Sequence, residues 1–86
     1  FLRFFSAPSP VTYIDPKLIA KYAIETLCRS IIMIHNHPSG NLKPSKADRD
    51  ITLKVKKTLE IFDVSLLDHL IITEKGFYSF LDEHIL

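Results

Sequence analysis

The sequence predicts an α/β (α+β) unit of three layers, a mixed sheet flanked by helices. Three observations carry this. A continuous run of β-branched and apolar residues, Ile31 to Ile34, lies between two segments of helical periodicity. Both helical segments open on a start signal, Asp15-Pro16 for the first and Ser45-x-x-Asp48 for the second. Beyond the second, two apolar segments are separated by Glu74-Lys75-Gly76, which is hairpin spacing.

Taken in order, residues 1–6 read as a short strand and Ser6 to Pro10 as a proline-punctuated loop. Asp15 caps the first helix, because its carboxylate can take a free amide, and Pro16 is tolerated at the first helical position. Leu18, Ile19, Tyr22, Ala23, Thr26 and Leu27 fall at helical spacing and predict the buried face, and Arg29-Ser30 ends the helix. Residues 30–34 predict a central strand buried on both faces. The second helix runs from the Ser45 cap to about Phe62, with Ile51, Val55, Leu59 and Phe62 along one stripe. Val64 to Thr73 is a strand interrupted by the polar pair Asp68-His69, and Phe77 to Phe80 pairs back on it.

Eighty-six residues allow one small domain or a portion of one. A hydrophobic content of 47% belongs to a folded chain and excludes the disordered class. With 11 basic against 10 acidic side chains, the net charge of +1 gives no argument for nucleic-acid or membrane binding by the whole surface. The one cysteine, Cys28, cannot form an internal disulfide, excludes an all-thiolate metal site, and fits a reducing, cytoplasmic setting. It reads as a small packing residue. Phe1 to Phe5 is too short for a signal core or a membrane span.

The chemistry gathers after the central strand. His35 and His37 stand at i and i+2, so in extended backbone both imidazoles project to the same side. Asp48 follows in the first turn of the next helix. Two imidazoles and a carboxylate are a usual protein ligand set for a catalytic zinc, one ion per chain. The competing readings are concrete. A His-x-His pair occurs on surfaces without metal, and Ser45 with Asp48 is fully explained as a capping box. His69 inside an apolar strand reads as a hydrogen-bonded core or sheet-edge histidine, and His84 as a solvated one. From Lys43 to Lys57, six basic residues face two acidic ones. They are either the solvated face of a helix or a positive rim for an acidic substrate or nucleic-acid phosphate.

The whole string is more specific than its parts. His35-x-His37-Pro38, five residues, then Pro44-Ser45-x-x-Asp48 resembles the His-x-His-Pro…Pro-Ser-x-x-Asp motif of the JAB/MPN metalloenzymes, the JAMM motif. Ile34 to Gly40 together with Leu67-Asp68-His69-Leu70-Ile71 is similar to the bacterial RadC branch, and Asp15-Pro16 resembles the stretch before its first helix. The resemblance spans about residues 13–80. It implies the JAB/MPN (cytidine-deaminase-like) fold, with His35, His37 and Asp48 on zinc and Ser45 stabilising an oxyanion. It further implies a metal-dependent hydrolase of peptide or isopeptide bonds. The alternative is a non-catalytic scaffold or DNA-repair-associated module on the same fold.

The family's general base is a glutamate on a strand well before the histidines. Here only Asp15 and Glu25 precede His35, one at the start of the first helix and one near its end, and neither fits. Either the sequence is the C-terminal portion of such a domain, with the upstream strand missing, or the protein is a zinc binder without the full hydrolytic machinery. A protein or peptide is the implied substrate, and no membrane partner is expected.

Overall fold

The computed structural model describes residues 2–7, 14–37 and 40–86. The expected loop of residues 6–10 lies mostly outside them. Six elements follow in the expected order: β1 (Leu2–Ala7), α1 (Pro16–Thr26), β2 (Ser30–Asn36), α2 (Lys46–Ile61), β3 (Ser65–Thr73) and β4 (Gly76–Ser79). They make a mixed four-stranded sheet in the order β1-β2-β3-β4. The first three strands run parallel, and β4 returns antiparallel on β3.

Local chemistry sets the helix ends. The Asp15 side chain accepts the Lys17 amide at 2.9 Å, and Pro16 opens the first turn. At α2, Ser45 Oγ accepts the Asp48 amide at 3.1 Å while Asp48 Oδ2 accepts the Ser45 amide at 2.8 Å, a complete capping box. Two otherwise orphaned donors are satisfied reciprocally.

The core lies between the sheet and the helices. Ile19 and Ala23 of α1, Val55 and Leu59 of α2, Ile31 and Met33 of β2, and Leu66 of β3 form one buried cluster. Both helices share that sheet face, so among the described residues two of the three expected layers are present. Three residues expected inside are outside: Leu18, Leu27 and Phe62 are 57%, 79% and 46% exposed. Leu27 and Phe62 are the residues at which the two helices end. Leu27 takes a left-handed backbone (φ 52°), which turns its side chain off the apolar stripe. Leu18 sits in the first turn, beside the Ile19–Ala23 line rather than on it. The β2 strand is central but fully buried on one face only, with Ile32 and Ile34 half-covered.

One irregularity positions the site. Between β2 and β3 the register runs Ile31 to Leu66, then Ile32 to Asp68, so Leu67 is an extra residue on β3. Strict alternation from the buried Leu66 would turn Asp68 inward and His69 outward. The bulge puts both Leu67 and Asp68 on the outer face and returns His69 to the core, opposite Met33. Asp68 is then used at the surface. It accepts the amides of His69 (2.7 Å) and Leu81 (3.0 Å) and the Ser79 hydroxyl (2.5 Å), tying β3 to the chain beyond β4. None of the described helices is long and apolar enough to cross a membrane.

Candidate metal centre

The β2 strand delivers His35 to the helix-covered face of the sheet, where it is 8% exposed. His37 follows just past the strand end, its amide donating to the Ile72 carbonyl at 3.0 Å. The chain then reverses. Gly40 N–H donates back to His37 O at 3.1 Å, and Gly40 has φ +81°, a conformation that costs glycine nothing and other residues about 1–2 kcal/mol. Pro38 lies outside the described residues. The loop leads to the Ser45 cap, and the first turn of α2 brings Asp48 back over the two imidazoles.

The three side chains expected to converge do so. One ligand atom of each lies within 4.8 Å of those of the others. His35 Nδ1 is 3.6 Å from Asp48 Oδ1, and His37 Nε2 is 3.4 Å from Asp48 Oδ2. These separations are long for hydrogen bonds. They are close to the roughly 3.3–3.6 Å expected between two donors each about 2.0–2.2 Å from an ion, although they run to different oxygens of Asp48. His35 Nδ1 is buried without a hydrogen-bond partner among the described residues, which is costly unless something outside the chain pairs with it. The residues present therefore fit a divalent ion of borderline softness.

The ligand atoms are also held from behind. His37 Nδ1 is 2.8 Å from the Asn41 carbonyl. A carbonyl only accepts, so the proton sits on Nδ1 and Nε2 presents its lone pair to Asp48 and the space beside it. Asp48 is 8% exposed and fixed by the capping box. Ser45 is exposed, with its oxygen accepting the Asp48 amide, so its own O–H proton remains available. The capping reading and the site reading of Ser45-x-x-Asp48 are thus compatible, since one carboxylate serves both.

Two residues of the neighbourhood carry no ligand signal in the sequence. Thr52 and His69 are fully or almost fully buried, and Thr52 Oγ1 is 2.6 Å from His69 Nδ1. Of the two places expected for His69, core or sheet edge, the structure has the core. Thr52 was legible only as a polar residue on the apolar stripe of α2. Asp15 and Glu25 are engaged elsewhere, Asp15 as the α1 cap and Glu25 in an exposed ion pair with Lys21 at 3.6 Å. His84 is exposed, as are five of the six basic residues between Lys43 and Lys57; Lys56 is half-covered.

Burial lowers the pKa of His35, with Asp48 opposing and the His37 charge reinforcing the shift. Burial also drives His69 down to about 4, helped by His35 and opposed by the carboxylates of Asp48 and Asp68. A histidine depressed in the folded state stays neutral there while the unfolded chain protonates. Stability contributed by His69 is therefore complete above pH 6.5 and is lost as pH falls from 6.5 towards 4. The loss is roughly 3 kcal/mol for the metal-free protein. Urea unfolding in EDTA at pH 7, 5.5 and 4.5 should show it, with His69→Asn losing less over the same range. Equal slopes for the two proteins would contradict this account.

Comparison with known proteins agrees with the geometry. A family described as RadC-like JAB domain matches residues 4–85. A UPF0758 protein of Flavobacterium johnsoniae is 53% identical over 74 residues, covering 86% of this chain and 32% of that protein. A UPF0758 protein of Thermotoga maritima is 44% identical over 70 residues, covering 81% and 32%. One of Streptococcus sanguinis is 42% identical over 69 residues, covering 80% and 30%. The chain thus spans about a third of the length of these relatives.

Proposed function

The chain belongs to the RadC-like JAB domain family, and from that premise we propose that it carries a zinc site for hydrolysis of a peptide or isopeptide bond. The observation that carries this reading is the cluster of buried His35 and Asp48 with half-covered His37, in which His35 Nδ1 has no hydrogen-bond partner among the described residues. Zinc held by these three would supply Lewis acidity and a water acidified to a pKa of roughly 7.

The remaining work falls to the protein. Asn41 O keeps His37 in one tautomer, and the capping box fixes the carboxylate of Asp48. Both groups therefore stand in place before a ligand arrives. The Ser45 hydroxyl, accepting from the Asp48 amide, directs its proton outward, where it can donate to a substrate oxygen as negative charge develops there. Neither Asp15 nor Glu25 is placed to accept a proton at this site. A site of this kind that lacks a base is expected to be about 10²–10⁴-fold slower than one that has it. A protein or peptide is the substrate this reading names. The even charge balance gives no support to strong DNA binding.

Zinc reconstitution of the purified chain tests the reading. About one zinc per chain should remain after dialysis, and amide hydrolysis of a peptide should be lost with chelator. In a protein where hydrolysis is measurable, Ser45→Ala should lower kcat by about 10²–10³. Retention of no zinc after reconstitution would sink the proposal.

A further inference from the structure

We propose that Thr52 and His69 are positioning residues for the metal ligands, locking the first turn of α2 to β3 and fixing the plane of the His35 ring. This rests on the metal-site reading above and extends it.

The argument begins with one hydroxyl proton. Thr52 Oγ1 lies 2.6 Å from the Asp48 carbonyl and 2.6 Å from His69 Nδ1. The carbonyl can only accept, so the Thr52 proton goes to Asp48 O. His69 must then donate from Nδ1–H to Thr52 Oγ1. The relay runs from His69 through Thr52 to the backbone of Asp48, joining β3 to the turn of α2 that holds the carboxylate. His69 Nε2 is left buried with no partner among the described residues. That is an expensive arrangement for a residue whose only task is to fill volume.

The second observation concerns His35. His37 is oriented by its hydrogen bond to Asn41 O, but His35 Nδ1 has no such bond among the described residues. What lies against the His35 ring is aromatic. His69 stacks on it with centroids 5.8 Å apart and planes 20° from parallel, and His37 meets it edge-on at 4.7 Å and 81°. His69 is itself stacked with Phe80 at 4.6 Å, so it is held by the core. The third observation is the bulge at Leu67, without which His69 would face away from His35 and Thr52 alike.

The probe is Co(II), whose visible d–d bands report the ligand arrangement, together with its competition against zinc. Thr52→Val keeps the volume and shape of the side chain but removes the hydroxyl, whereas Thr52→Ser keeps the hydroxyl. In Thr52→Val, folded by circular dichroism, affinity should fall about ten- to a hundredfold with altered d–d bands. Thr52→Ser should restore both. Wild-type affinity and spectrum in folded Thr52→Val would overturn the positioning role and leave the metal site standing. A wild type that binds neither Co(II) nor zinc removes the metal reading and this role together.

Should Thr52→Val not fold, long-range ¹H–¹⁵N spectra of the wild type decide. His69 should be neutral with its proton on Nδ1. A proton on Nε2 would turn the Thr52 hydroxyl towards His69, break the relay, and overturn the proposal.

Discussion

Replacing Asp48 with alanine is expected to abolish stoichiometric zinc binding, and His35→Ala should do the same. In the cluster Asp48 supplies the one negative charge, and its two oxygens lie 3.6 and 3.4 Å from the ring nitrogens of His35 and His37. Loss of groups that merely orient a ligand costs about 10–100-fold in affinity, so loss of a ligand should exceed a hundredfold. Asp48→Ala also removes half of the capping box and should destabilise the metal-free protein by about 1 kcal/mol. Asp48→Asn separates the two effects. Its amide oxygen can still accept the Ser45 N–H, so stability should stay near wild type while zinc binding is lost. The measurement is metal content after dialysis, paired with urea unfolding in EDTA. Tight one-to-one zinc in either alanine variant would refute the assignment.

Leu59→Ala should have the largest effect on folding. Leu59 is fully buried in the cluster that joins both helices to the sheet, and its carbonyl accepts the Val64 amide at 3.0 Å, fixing the entry to β3. Truncating such a leucine costs about 2–5 kcal/mol through lost transfer energy and a residual cavity. A chain of this size has roughly 4–13 kcal/mol in total, so much of the variant should be unfolded under mild denaturant. Leu53→Ala, on the same helix but 52% exposed, should stay within about 0.5 kcal/mol. Similar unfolding midpoints for both variants would mean that the core lies elsewhere.

Most of the element order was readable because the signals are local. Pro16 after Asp15 and the Ser45-x-x-Asp48 box specify helix starts through their own hydrogen bonds, and the Ile31–Ile34 run specifies a strand. The candidate ligand cluster was readable chiefly through the resemblance of the whole His35-to-Asp48 string to the JAMM motif. Locally, residues two apart on a strand share a side and a capping box puts its acid in the first turn, which agrees with that reading but does not by itself imply a metal. The misplacements have a different origin. Periodicity assigned Leu27 and Phe62 to buried stripes, but the helices end there and the geometry of the ends turns the side chains out. The bulge at Leu67 depends on how two distant strands register, and no local pattern encodes it. Its one trace is the adjacent polar pair Asp68-His69 in an apolar strand, too many polar residues in a row for simple alternation. Thr52 left a fainter trace, a hydroxyl on the stripe running from Asp48 to Val55 and Leu59.

The double use of Asp48 bears on the order of events when metal is loaded or removed. The Ser45 amide holds the carboxylate through folding itself, with no help from an ion. The entropy of ordering that side chain is therefore lost once, when the chain collapses, and not again at each binding event. Loading should then proceed at a speed governed by how readily the incoming ion sheds its hydration water. If the proposed site holds an ion, stripping it should leave the start of α2 wound, and the emptied site would be ready for another without refolding.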